Sequence, residues 1–180
     1  MDGSGREEFF AELISLVDKH KFWRNGFRVN LDKDENHRRV DKNGRTWLKY
    51  PYAPRSNTIR EGAILECVQK MLPHVNSVCL NKKAATSPPM QRHKDRKNEG
   101  NSFICFWDDF EGGGELCLAD GRVFNEKHKW YEYDGSEVEH WVSPHKSGTR
   151  FSAVAFKGPP APKTRPPGRK KMYAKINELD

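Results

Sequence analysis

His93 and Asp95 are separated by a single residue. In extended backbone, residues two apart point to the same side, so this imidazole and this carboxylate can converge on one cation. An H-x-D triplet also arises by chance and carries little weight alone. Residues 140–156 add to it. They read HWVSPHKSGTRFSAVAF, the texture of a strand, a Pro/Gly turn and a returning strand. The two-residue period places Arg150, Ser152, Val154 and Phe156 on one face of the returning strand. A guanidinium buried on such a face needs an anion, and its planar fork suits a carboxylate. If His140 opens the first strand, a hairpin brings it and Arg150 to the same end of one pocket. Two His and one Asp make up the facial ligand set of non-haem Fe(II) oxygenases, with zinc the alternative on ligand type alone.

Each of these residues also has a plainer reading. His140 alone is a surface histidine at a strand start, and Arg150 alone is a salt-bridge partner for Glu132 or Glu139. His145 and His128 are rival third ligands. His145 falls in the turn-like stretch 143–148, where solvent exposure is expected, and His128 lies between Lys127 and Lys129 in a charged loop. The glycines at 112–114 lack the Lys-Ser/Thr and helix of a phosphate loop, so they read as a tight turn or bulge.

The elements that must hold these residues are legible in outline. Residues 6–20 have Phe9, Phe10, Leu13, Leu16 and Val17 at helical spacing, an amphipathic helix with a core-facing stripe. Residues 32–57 are polar and interrupted by Pro51 and Pro54, with a short strand from Thr46. A second helix is expected over 59–72, opened by a Thr58/Glu61 capping box and closed by Pro73. From Ser77 on, short apolar runs alternate with turn signals. Strands are expected at 77–81, 103–107, 115–119, 122–124, 130–133, 139–142 and 150–156. Helices followed by short strands suggest an antiparallel sandwich or open barrel with the helices packed outside. The Pro-rich basic tail from Gly158 reads as extended or disordered, with one short helix possible over 172–180.

The chain has 180 residues, enough for one domain. Lys+Arg 32 against Asp+Glu 25 gives a net charge of +7, which favours an anionic partner. Cys67, Cys79, Cys105 and Cys117 have no CxxC spacing, and reduced thiols in an intracellular protein are the simplest account. The polar, acidic N-terminus is unlike a signal peptide, and no apolar stretch is long enough to span a bilayer. Cytoplasm or nucleus is therefore expected, with no membrane partner. The oligomeric state is open, with a monomer as the default.

Five motifs in order carry a family resemblance: HKDRKNEGNS at 93–102, DFEGGGEL at 109–116, WYEYDG at 130–135, His140, and GTRFS at 148–152. With them, residues 81–156, under half of the chain, resemble the core of Fe(II)- and 2-oxoglutarate-dependent dioxygenases. They look closest to the branch of the TET methylcytosine dioxygenases and the J-binding thymidine hydroxylases. The resemblance implies an α+β fold with a double-stranded β-helix (jelly-roll, cupin-like) core over about 77–157 and N-terminal helices outside. It implies one oxygenase domain over 1–157 and a basic tail over 158–180. It also implies iron held by His93, Asp95 and His140, the last selected by its ten-residue offset to Arg150. Arg150 would clamp the distal carboxylate of 2-oxoglutarate with Ser152 assisting, and Asn81 would reach the co-substrate or a metal-bound water. Fe(II) would be the metal, 2-oxoglutarate and O2 the co-substrates, and ascorbate a possible reductant. A C–H bond would be hydroxylated with release of succinate and CO2.

Substrate is a separate question. The basic charge, the tail and the segment 38–55, where Arg45, Trp47, Tyr50 and Tyr52 interleave cations with rings, point to DNA. The expected target is the methyl group of 5-methylcytosine or thymine, reached by extruding the base. A prolyl-type protein hydroxylase or small-molecule hydroxylase is the alternative. A non-catalytic nucleic-acid-binding module with a vestigial metal site is the alternative from another class.

Overall fold

The computed structural model describes residues 3–22, 38–40, 46–48, 55–87 and 90–160. Helix α1 (Gly3–Asp18) leads to strands β1 (Arg38–Val40), β2 (Thr46–Leu48) and β3 (Arg55–Ile59), then to helix α2 (Ala63–Gln69). Seven strands follow: β4 (Ser77–Ala84), β5 (Glu99–Trp107), β6 (Leu116–Leu118), β7 (Val123–Phe124), β8 (Tyr131–Tyr133), β9 (His140–Val142) and β10 (Thr149–Lys157). A major sheet has the order β3-β4-β10-β5-β8 and a minor sheet the order β7-β6-β9, while β1 pairs with β2. Every pairing among these strands is antiparallel.

Alternation along the central strands divides the interior into two cores. On β4 and β10, Val78, Leu80, Ala153 and Ala155 face the helices, where they bury Phe9, Phe10, Leu13, Val17, Leu65 and Val68. Their neighbours Cys79, Asn81, Lys83, Arg150, Ser152 and Val154 face the opposite way and line a cavity. This follows from the period of two in a pleated strand. The second core joins the two sheets through residues such as Ile104, Phe106, Leu116, Leu118, Tyr133 and Val142. Antiparallel sheets facing one another with helices outside form the expected jelly-roll architecture.

Two expectations about elements change. The second helix starts at Ala63 rather than residue 59, with Gly62 as its N-cap and no side-chain cap bond. Thr58 instead lies in β3, paired with Cys79 of β4, and a residue committed to a sheet ladder cannot also cap a helix. His140 and Arg150 are not joined by a hairpin, because β9 belongs to the minor sheet and β10 to the major one. The chain crosses between sheets over residues 143–148, where Gly113 passes close to its backbone and the turn at Gly148 packs against Asp109.

Candidate active site

The H-x-D segment is tied edge-on to β9. The backbone N–H of His93 donates to His140 O at 3.1 Å, and that of His140 donates to His93 O at 3.0 Å. Asp95 N–H donates to Gly135 O at 2.7 Å. These bonds place the two imidazole rings with centroids 4.5 Å apart. His93 Nε2 lies 3.8 Å from Asp95 Oδ1, and His140 Nε2 lies 3.4 Å from Asp95 Oδ2. The three ligand atoms fall within 4.8 Å of one another, the one such group of three or more His, Cys, Asp or Glu among the described residues.

Both histidines are oriented by the same device. His93 Nδ1 lies 2.9 Å from Gln91 O, and His140 Nδ1 lies 3.0 Å from Val138 O. A carbonyl only accepts, so Nδ1 carries the proton in each ring and the Nε2 lone pairs turn towards the shared point. Burial opposes a charged His140, but Asp95 and the Val138 carbonyl outweigh it and raise its pKa above the ordinary value. Buried Tyr133 packs edge-on against His140 at 5.1 Å, and burial first, then Asp95, push its phenol pKa up. It stays neutral beside the cluster.

Arg150 anchors the other part of the cavity. It is 3% exposed. Its Nε donates to Gly114 O at 2.7 Å and its Nη1 to Ser152 Oγ at 3.0 Å. The guanidinium carbon lies 4.9 Å from the Phe106 ring centroid. Nη2 is buried without a hydrogen-bond partner among the described residues. Burial lowers the pKa to about 10, so the group stays cationic at neutral pH. The approach of Gly114 requires its residue type: φ is +86°, and a Cβ there would meet the Phe110 ring at 2.7 Å.

One cavity of about 250 Å³ takes in His93, Asp95, His140, Arg150, Ser152 and Asn81. Asn81 sits opposite Ser152 in the β4–β10 ladder and donates to its Oγ at 3.5 Å. Of the substrate-contact candidates, Arg45, Tyr50 and Tyr52 lie outside the described residues. Trp47 is in β2, opposite Arg39.

The other two histidines lie outside this cluster. His128 is exposed at φ +57°, with its ring against Phe10. His145, expected in solvent, is 5% exposed. Its Nε2 donates to Gly148 O at 3.1 Å and its ring packs on Phe110. The crossover that carries it is pressed against Gly113, which is why a turn-like sequence ends up buried. The hydrogen bonds of Arg150 go to Gly114 and Ser152 rather than to Glu132 or Glu139, and Glu132 accepts from Asn101 instead. Sequence reasoning missed Tyr133 and Lys83, both of which line the cavity. Lys83 carried a usable signal, since it follows Asn81 by two residues and so shares its face.

No protein-family model and no curated protein sequence matches the chain. Among solved structures, the oxidoreductase of the 2OG-Fe(II) oxygenase family from Burkholderia pseudomallei superposes with a TM-score of 0.52 at 14% identity, over 82% of this chain and 77% of that one. The fold is that of a 2OG-Fe(II) oxygenase. Looser likenesses reach NgTET1 in complex with 5mC DNA (TM-score 0.44, 24% identity, 59% of this chain) and a Pseudomonas putida prolyl-4-hydroxylase (0.49, 15%, 88% of this chain and 89% of that one). The chain spans 43% of the length of the NgTET1 chain.

Proposed function

We propose that this chain is an Fe(II)- and 2-oxoglutarate-dependent dioxygenase that hydroxylates a C–H bond, with a DNA-base methyl group as its target. The observation that carries the reading is the content of one cavity: a convergent His/Asp/His cluster, and a buried guanidinium with an unused donor. The donor set fits Fe(II), since both histidines present Nε2 and the Asp95 carboxylate to one point. His93, Asp95 and His140 would hold the metal. When bound, Fe(II) supplies oxygen activation and C–H oxidation coupled to conversion of 2-oxoglutarate to succinate and CO2.

The remaining work belongs to the chain's own side chains. Arg150 Nη2 and the Ser152 hydroxyl bind the distal carboxylate of the keto acid, and that contact sets its direction in the cavity. Asn81 holds Ser152 and offers an amide to the same ligand. Ile104, Leu116, Val142 and Val154 line the cavity with hydrocarbon, which keeps water from the reacting groups. Tyr133 packs His140 in place.

DNA is favoured by charge. Arg92, Lys94, Arg96 and Lys97 surround the H-x-D pair and are all exposed. Arg92 also stacks over Trp141 with its guanidinium carbon 4.0 Å from the ring centroid. Phosphates would meet cations at the metal-bearing segment itself. The test is incubation with Fe(II), 2-oxoglutarate, ascorbate and DNA carrying 5-methylcytosine and thymine, followed by nucleoside mass analysis. Gain of one oxygen atom on either base supports the reading. Succinate formed without base oxidation keeps the dioxygenase and replaces DNA with a protein or small-molecule substrate. Neither product overturns both.

A further inference from the structure

We infer that the crossover over residues 143–148 is a pH-sensitive latch, held while His145 is neutral and released when His145 takes up a proton. The crossover joins β9, which carries His140, to β10, which carries Arg150. Its release therefore uncouples the His/Asp/His cluster from the buried guanidinium, whatever ligand the cavity takes.

The latch is built from several short contacts. Lys146 N–H donates to Glu111 O at 2.9 Å, and Glu111 N–H donates to Ser147 O at 3.1 Å. Thr149 N–H donates to Asp109 Oδ1 at 2.8 Å. Gly113 passes so near Pro144 and the Cα of His145 that no side chain fits between them. Gly114, next in the chain, gives its carbonyl to Arg150 Nε. Movement of the crossover is thus passed to Arg150 through two adjacent glycines.

His145 is buried within this contact, with its ring against Phe110. Its Nε2 faces the Gly148 carbonyl, which only accepts, so Nε2 carries the proton. Nδ1 is left as a buried lone pair with no hydrogen-bond partner among the described residues. A second proton, on Nδ1, makes a donor with nothing to receive it and a cation without water around it. Burial is the largest cause that holds the His145 pKa below the ordinary value. Lys83 from β4 and Arg150 from β10 add to the lowering, while the Gly148 carbonyl and Asp109, beyond β5, oppose it without prevailing. Lys146 and Glu111, the charged residues of the paired backbones, are both exposed.

Above about pH 6.5 the imidazole is neutral in the held and the released segment alike, and the balance between them is flat. Below it, the released segment binds a proton that the held one refuses. Release then gains up to about tenfold for each pH unit, until the lowered pKa of the held form is reached.

The test is amide hydrogen exchange on the full chain and its His145→Gln variant, from about pH 8 to about pH 5, either side of the ordinary imidazole value. Rates are corrected for intrinsic exchange, and the Ala153 amide in central β10 reports opening of the whole fold. His140 titrates as well, with a raised pKa, and is common to both proteins. In wild type, protection of the Lys146 and Glu111 amides is expected to be flat in the upper part of the range. In the lower part it falls by up to about tenfold per pH unit, ahead of Ala153. In His145→Gln, which keeps a donor for Gly148 O and cannot titrate, protection stays flat. The wild-type His145 ring, followed by its nitrogen chemical shifts, is expected to titrate below free imidazole, and this decides alone if His145→Gln does not fold. Flat protection in wild type, an equal fall in His145→Gln, or a His145 ring that titrates at or above the ordinary value overturns the latch.

Discussion

At the residue scale, the choice among three histidines rests on which nitrogen faces what. His140 presents Nε2 to Asp95 while Val138 O holds its Nδ1–H. His145 spends Nε2 on Gly148 O. His140→Ala is therefore expected to lose bound iron and turnover together, read by metal analysis after gel filtration. His145→Ala keeps its iron, at a stability cost of about 1–3 kcal/mol for a buried ring and its hydrogen bond. Iron absent from His145→Ala and kept in His140→Ala would reverse the assignment. Arg150→Met removes a charge-assisted hydrogen bond worth about 1.5–3 kcal/mol, so the 2-oxoglutarate requirement should rise roughly ten- to a hundredfold. A saturation curve unmoved by the substitution would remove Arg150 from the site.

At the element scale, the site depends on three segments meeting without a hairpin between them. The glycine run, read from sequence as a turn or bulge rather than a phosphate loop, is where they meet. Gly113 has φ +128°, and a Cβ there would lie 1.8 Å from the carbonyl oxygen of Pro144 on the crossover. Gly114 passes its own carbonyl to Arg150. Gly113→Ala must strain its backbone and push the crossover away, a destabilisation of about 1–3 kcal/mol from the dihedral alone. The expected readout is a lower unfolding midpoint in denaturant together with weaker 2-oxoglutarate binding. A variant as stable as wild type would show that the crossover is free to move. Cys105 and Cys67 lie in the core on the helix side, and burial pushes the Cys67 thiol up to about 11. Thiol reagents should therefore label Cys79 or Cys117, which are half-buried, ahead of either.

At the scale of the whole molecule, charge is the property that bears on the substrate. The net charge of +7 includes Lys163, Arg165, Arg169, Lys170 and Lys171 of the tail, five positions beyond the described residues. If the tail meets phosphates, truncation after Gly158 should weaken DNA binding and flatten its salt dependence. The slope of log K against log salt would fall by about 0.9 for each duplex phosphate that the tail had neutralised. An unaltered slope would confine DNA binding to the remainder of the chain, including the basic segment around His93. No helix among the described residues is long and apolar enough to cross a membrane.

Local patterns were readable from the sequence because they depend on local geometry. The period of two on β10 set Arg150, Ser152 and Val154 on one face, and they do line one cavity. The i, i+2 relation of His93 and Asp95 and the helical stripe of α1 are of the same kind. The jelly-roll fold followed from motif order and is the fold observed. What lay beyond reach was pairing between distant segments. Thr58 looked like a helix cap until β4 claimed it as a strand partner. His145 looked exposed until Gly113 closed on the crossover. Lys83 was not singled out from the sequence, and only the register of two strands far apart in the chain sets it opposite Arg150. Spacing along one strand is fixed by covalent geometry, whereas register between strands is decided by which faces can be buried together, and that is a property of the folded chain.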